Sequence, residues 1–108
     1  MNDWIEEVLN MPDQWLNIAA TKALRYLKQN NDNNIGEILV GYDFALRLYE
    51  KAFHNYIHNK DTLSDQDEED LLLAKDLAEF SIPKDHALYT RFMKQVSYIY
   101  PEIENKEN

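Results

Sequence analysis

The amino-acid sequence predicts an all-α fold, an antiparallel helical bundle of about four main helices with a short N-terminal helix. Only two glycines and three prolines occur in 108 residues, too few for the many tight turns of an all-β fold. Hydrophobic residues make up 44% of the chain. They recur every three or four residues, which is the spacing of one buried helix face.

The length and composition predict one domain in a reducing compartment. We expect a single helical domain over residues 1 to 100 and a frayed acidic tail over residues 101 to 108. The absence of cysteine excludes disulfides and thiolate metal sites. The first nine residues hold three acids and no base, unlike a secretory signal, and no apolar stretch approaches the roughly 20 residues of a membrane span. A cytoplasmic location is therefore expected.

Two short helical patterns occupy the first 29 residues. Asp3 followed by Glu6 has the spacing of a capping box, and the helix that it begins should end before Pro12. Pro12 in turn suits the first position of a second helix, because its missing N–H has no partner there. The buried face of this second helix is expected to comprise Leu16, Ala19, Ala20, Ala23, Leu24 and Leu27.

A long helix is predicted after the asparagine-rich run at residues 30 to 34, which favours a loop. Asn34 and Glu37 repeat the capping-box spacing, and the pattern continues to about Asn59. One side of this helix is expected to carry Ile38, Tyr42, Ala45, Tyr49, Ala52, Phe53 and Tyr56. The three tyrosines are spaced by seven, which is typical of the edge of a core.

Two glycines near the start of the long helix allow more than one backbone conformation there. Gly36 and Gly41 each cost about 1 kcal/mol relative to alanine in a helix interior. Residues 35 to 44 could therefore form a kinked helix or a short extended segment. The alternative is a regular helix in which a glycine lets a neighbouring helix approach closely.

Two further helices are predicted in the second half of the chain. Ser64 is a plausible N-cap for the fourth, whose apolar residues are Leu71, Leu72, Ala74, Leu77, Ala78 and Phe80. Pro83 breaks this pattern, and the last helix should end before Pro101. Its apolar residues are Leu88, Tyr89, Phe92, Met93, Val96, Ile99 and Tyr100.

The negative charge of the chain is concentrated in one segment. Residues 61 to 85 hold nine carboxylates against two lysines and so supply seven of the nine excess negative charges. The centre of this segment is the acidic run Asp65, Asp67, Glu68, Glu69 and Asp70. Acids are favoured in the first turn of a helix, so the run is explained by a solvated helix start or by docking of a basic partner. A calcium loop is excluded, because Gln66 and Leu72 stand where it needs glycine and glutamate.

Three potential metal ligands recur every four residues on the long helix: Glu50, His54 and His58. Two such histidines can chelate zinc, nickel or copper, and His86 could complete a site. Against this, the zinc-protease pattern is absent, and the charges of Arg47 and Lys51 on the same flank oppose a cation. We expect an exposed polar face and no cofactor, with a metal site as the alternative.

Tyrosines near the end of the last helix are candidates for contact with a partner. Tyr98 and Tyr100 lie nearly opposite each other across a helix, so both cannot be buried in one core. Tyrosine is common at the centres of protein interfaces. We therefore add both residues to the predicted partner-binding set.

Motifs for catalysis and nucleic-acid binding are absent from the sequence. It has no glycine-rich phosphate loop, no Gly-x-Ser-x-Gly, no cysteine nucleophile and no paired Glu-x-x-His. Eleven basic residues are scattered among twenty acidic ones, which disfavours direct binding of nucleic acid. The sequence therefore does not predict an enzyme.

The favoured hypothesis is a small acidic protein that binds another protein through its acidic helix start. Such a protein could be an inhibitor, an anti-defence factor or a regulator from a phage or mobile element, and its partner a basic nucleic-acid-binding protein. Two alternatives remain open. One is a structural or self-associating subunit of a larger assembly, and the other is a metal-dependent enzyme or sensor.

Overall fold

The computed structural model describes residues 3 to 29 and 34 to 97, and all regular structure in these two ranges is helical. The α-helices are α1 (Asp3–Leu9), α2 (Leu16–Gln29), α3 (Ile35–His58), α4 (Asp65–Ser81) and α5 (Ala87–Val96), with a 3-10 turn at Asp13–Trp15 between α1 and α2. The predicted all-α fold is therefore confirmed. Residues 98 to 108, including Tyr98, Tyr100 and the predicted tail, lie outside the described ranges.

The long helix α3 is the centre of the bundle, and its most extensive contact is with α4. The two helices are antiparallel, since Gly41 lies beside Ser81 near one end and Asn55 hydrogen-bonds Asp67 near the other. Helix α2 packs against both of them. The short helix α1 lies on α2 and α3, and α5 lies on α3 and α4.

The two glycines of α3 sit in a regular helix that is continuous from Ile35 to His58. At Gly41, an added Cβ would stand 1.8 Å from Ser81 Oγ and 2.2 Å from Ser81 Cβ. No real Cβ approaches another carbon so closely, so this position needs glycine for the crossing of α3 and α4. The extended alternative for residues 35 to 44 is wrong, and close approach of a neighbouring helix explains Gly41.

Two capping boxes set the starts of the two longest helices. At α3, Asn34 Oδ1 accepts a hydrogen bond from Glu37 N at 2.9 Å, and Glu37 Oε1 accepts one from Asn34 N at 3.2 Å. At α4, Ser64 Oγ accepts from Asp67 N at 3.1 Å, and Asp67 Oδ2 accepts from Ser64 N at 3.3 Å. Each pair satisfies backbone N–H groups that the helix itself leaves without partners.

The N-terminal helices differ in detail from the prediction. Helix α1 begins at Asp3 itself, so Asp3 is not a residue preceding the helix. Helix α2 begins at Leu16, because Pro12 is followed by the 3-10 turn, in which Trp15 N donates to Pro12 O at 2.8 Å. Its buried face agrees with the predicted set except for Leu16, which is half-buried.

The core contains most, but not all, of the predicted apolar residues. The large side chains Phe44 and Leu48 of α3 are fully buried, although the predicted stripe omitted them. In α4, Leu72 and Phe80 were predicted to be buried but are 39% and 42% exposed. They lie on the outer side of the helix, because its inner side is already filled by Leu71, Ala74, Leu77, Ala78 and Ser81.

Candidate functional site

The acidic run divides between the two sides of α4. Asp67 and Asp70 face inward and are only 1% and 0% exposed, whereas Asp65 and Glu69 are exposed and Glu68 is half-buried. The division follows from helix geometry, since Asp67 and Asp70 stand four residues before Leu71 and Ala74, respectively, on the same buried side. The five carboxylates therefore do not form one surface patch.

Asp67 holds the start of α4 against the end of α3. Besides its capping-box bonds, its Oδ1 accepts a hydrogen bond from Asn55 Nδ2 at 3.1 Å. Both carboxylate oxygens are thus occupied within the fold. This carboxylate joins the start of α4 to Asn55 of α3, and its burial keeps it from contact with an outside partner.

The buried carboxylate of Asp70 is the centre of a polar network that joins three helices and is partly open to solvent. Its Oδ1 accepts hydrogen bonds from Asn17 Nδ2 of α2 and, at 2.9 Å, from Gln66 Nε2 of its own helix. Its Oδ2 accepts no hydrogen bond, but Lys51 Nζ of α3 lies 3.2 Å away. Lys51 Nζ also donates to Asn17 Oδ1 at 2.8 Å, which closes the network.

Sequence reasoning missed this network, although the sequence held a signal for it. Positions 67, 70, 71, 74, 77, 78 and 81 have the spacing of a single helix face. Extending the apolar stripe of α4 by one turn toward its start therefore reaches two aspartates. A carboxylate on a predicted buried stripe needs partners, because an isolated buried charge is strongly destabilising.

The outer face of α4 is both acidic and apolar. We define it by residues on the solvent side at three- and four-residue spacing: Asp65, Glu69, Leu72, Asp76, Glu79 and Phe80. Asp76 is half-buried and the other five are exposed. The single basic residue of α4, Lys75, lies about 90° around the helix from the centre of this face. Lys28 Nζ of α2 borders it, 5.2 Å from the centroid of the Phe80 ring.

A shallow groove of about 490 Å³ runs beside α3. It is lined by Leu16, Arg47, Glu50, Lys51, His54 and Asn55. The two positively charged side chains of the groove already have carboxylate partners, since Arg47 Nε lies 3.3 Å from Asp43 Oδ2 and Lys51 contacts Asp70. The groove is therefore a mixed polar surface with no excess of one charge.

The histidine-containing set is only partly brought together. The rings of His54 and His58 are 4.3 Å apart, centroid to centroid. Within the described ranges, however, no group of three histidine, aspartate or glutamate side chains is arranged to hold a metal ion. His86 is committed elsewhere, because its Nδ1 accepts a hydrogen bond from Leu88 N at 3.1 Å and so caps α5. The three-ligand alternative is therefore not formed.

The tyrosine seam of α3 lies at the edge of the core. Tyr49 is buried and its ring lies 5.6 Å from that of Phe53, while Tyr42 and Tyr56 are half-buried. The seam therefore contributes to packing along its length. Tyr98 and Tyr100, the tyrosines predicted to contact a partner, are outside the described ranges.

An exposed ion pair joins α1 to α2. Lys22 Nζ of α2 donates a hydrogen bond to Glu7 Oε1 of α1. This bond, together with the negative charge of Glu7, raises the pKa of Lys22 above its ordinary value of 10.5. The pair adds a polar contact at the edge of the α1–α2 packing.

Similarity to other proteins adds no further assignment. Neither the protein-family models, nor the curated protein sequences, nor the solved structures compared with this chain gave a match. Among the described residues, no helix combines the length and the apolar character needed to cross a bilayer.

Proposed function

We propose that this chain binds another protein and docks through the outer face of α4 onto a basic surface. The observation that supports the proposal is the composition of that face, where four carboxylates lie on the same side of the helix as the exposed side chains of Leu72 and Phe80. The proposed contact surface leaves out two residues of the acidic run, Asp67 and Asp70, because both are buried inside the fold. It reaches further along α4 than the acidic run does, because it includes Asp76 and Glu79.

The composition of the face suits a specific contact more than a general attraction. Charges at the rim of an interface speed association and make it sensitive to salt, since exposed charges are screened beyond about 8 Å at physiological ionic strength. Exposed apolar side chains on the same face supply contact area that loses water on binding. An isolated charge block would provide only the first effect, whereas this face provides both.

In its specific form, the partner is a nucleic-acid-binding protein, and the acidic face occupies its phosphate-binding surface. A chain of this kind would act in the cytoplasm as an inhibitor, an anti-defence factor or a regulator encoded by a phage or mobile element. The charge complementarity of carboxylates with a phosphate-binding surface supports this form. The fold contributes a rigid helix on which the carboxylates keep fixed spacing.

The test compares two sets of four substitutions that change the net charge equally. The first set neutralises the outer face: Asp65→Asn, Glu69→Gln, Asp76→Asn and Glu79→Gln. The second neutralises exposed acids elsewhere: Glu6→Gln, Glu50→Gln, Asp61→Asn and Asp85→Asn. Proteins retained from a host extract by the immobilised wild-type chain are identified by mass spectrometry, and the retained protein is then purified for titration.

We expect the first set to weaken binding of the purified partner at least about tenfold, or 1.4 kcal/mol, and the second set to change it little. The loss should shrink at high salt. Circular dichroism and thermal unfolding confirm that both variants remain folded. Equal affinity of the two variants would contradict docking through α4, since a general charge effect would weaken both to the same extent.

Self-association is a second candidate function, supported by apolar residues on a different helix. Ile35 and Leu39 lie one turn apart at the start of α3 and are 65% and 50% exposed. A second copy of the chain could cover them, in which case salt should have little effect. Sedimentation of the wild-type chain and of the Ile35→Ser, Leu39→Ser variant over a range of concentrations tests this. A monomer at every concentration would rule it out.

A further inference from the structure

The last two turns of α3 present a pair of histidines to solvent. His54 and His58 are both exposed and lie four residues apart, and their rings are in contact at 4.3 Å between centroids. His58 is the last residue of α3. Neither docking through α4 nor self-association through α3 uses either imidazole.

We propose that His54 and His58 chelate one divalent transition-metal ion, of the zinc or nickel type. Side chains at i and i+4 lie one above the other on a helix, so two ring nitrogens can reach a common ion. Neutral imidazole is a preferred ligand of zinc, copper and nickel. Because both rings are exposed, a rotation of each side chain brings its nitrogen to the metal without moving the backbone. Water fills the remaining positions.

The charges around the pair permit a cation. The sequence suggested that Arg47 and Lys51 would repel one, but each has a carboxylate partner, Asp43 and Asp70 respectively. Their repulsion is thereby reduced. Glu50, exposed one turn before His54, adds a negative charge on the same flank. It is not a third ligand in the proposed site.

Chelation also affects the junction between α3 and α4. The amide of Asn59 donates to Asn55 O at 2.9 Å, and that of Asp61 donates to Tyr56 O at 2.9 Å. These acceptors lie within the turns that the metal would bridge. A bound ion therefore stabilises the last turns of α3 against local opening. Hydrogen exchange at these two amides becomes slower as a result.

Calorimetric titration of the full chain, without a histidine tag, with zinc chloride and with nickel chloride tests the proposal. We expect one ion per chain. His54→Gln and His58→Gln should each weaken binding at least about tenfold, because loss of a mere outer-shell partner already costs ten- to a hundredfold. Exchange at Asn59 and Asp61, followed by nuclear magnetic resonance, should slow on addition of zinc to the wild type only.

Two controls make the assignment specific. His86→Asn removes the remaining histidine, and asparagine is itself a good N-cap, so α5 should stay folded and metal binding should be unchanged. Glu50→Gln should reduce affinity by less than either histidine substitution. The proposal is overturned by absence of binding to the wild type, by full binding in both histidine variants, or by a Glu50→Gln loss as large as theirs.

Discussion

The two sides of α4 put the same type of residue to opposite uses. On the inner side, Asp67 and Asp70 are buried and accept hydrogen bonds from three other segments of the chain. On the outer side, Asp65 and Glu69 are exposed to solvent. The difference shows that the charge of a segment does not reveal its role. The angular position of each carboxylate on the helix does, because that position decides between water and protein as its surroundings.

The strongest test of this comparison is removal of the inner carboxylate at Asp70. Asp70→Ala should lower the free energy of unfolding by about 2 to 3 kcal/mol, because Asn17 and Gln66 lose a hydrogen-bond acceptor and Lys51 loses its ion-pair partner. Glu69→Ala, one residue earlier on the outer side, should change it by no more than about 0.5 kcal/mol. Urea unfolding measures both. Similar losses in the two variants would abolish the distinction between the sides.

A second test adds volume at the far end of the inner side. Gly41→Ala should destabilise the fold by about 1 to 3 kcal/mol, because the new methyl group overlaps Ser81 and the two helices must separate. Gly36→Ala is the matched control. There the nearest atoms, Asn34 Oδ1 and Ile5 Cδ1, lie 3.3 and 3.4 Å from the added Cβ, so alanine should change the stability by no more than about 0.5 kcal/mol. Thermal unfolding should therefore show a clear loss of stability for Gly41→Ala and a much smaller shift for Gly36→Ala.

The capping aspartate sharpens the comparison within a single turn. Asp67→Ala removes the capping-box acceptor and the partner of Asn55, so it should cost about 1 to 2 kcal/mol. Asp65→Ala loses only the interaction of an exposed acid with the start of the helix, about 0.3 to 1 kcal/mol. Chemical denaturation at low and high salt distinguishes the two losses of stability. Only the Asp65 effect should diminish markedly with salt.

The smallest expected effect concerns the exposed Lys22–Glu7 pair, which contrasts with the Lys51–Asp70 pair, whose carboxylate is buried. Because the pKa of Lys22 is raised above 10.5, the pair contributes its stability fully below that pH. The contribution is lost as the pH rises through the higher, folded-state pKa. Nuclear magnetic resonance titration of the Lys22 side chain should give a pKa above 10.5 in the wild type. In Glu7→Gln it should return toward 10.5, and an unchanged value would contradict the pairing.

Local signals in the sequence account for the parts of the fold that were predicted. Asn34 with Glu37 marked one helix start, and Ser64 marked another, because capping depends on a few neighbouring residues. Pro83 likewise marked the end of α4, which stops at Ser81. Such features require no knowledge of what each helix packs against.

The errors arose where packing between helices decides the outcome. The three leucines at residues 71 to 73 cannot all face the core, because consecutive residues of a helix point in different directions. The sequence alone did not show that Leu72 is the one that faces outward. Phe44 and Leu48 were missed because α3 is surrounded by neighbours and so buries more than one stripe. For the candidate site, carboxylates were assumed to be exposed. Asp70 is buried because partners from two other helices meet it there.

The network around Asp70 also has a consequence for the order in which the protein folds. It joins residues that are 53 and 34 positions apart in the chain, so it can form only when α2, α3 and α4 are all in place. These three helices should therefore open and close as one cooperative unit in native-state hydrogen exchange. The short helices α1 and α5 have no residue in the network and should open at lower free energy.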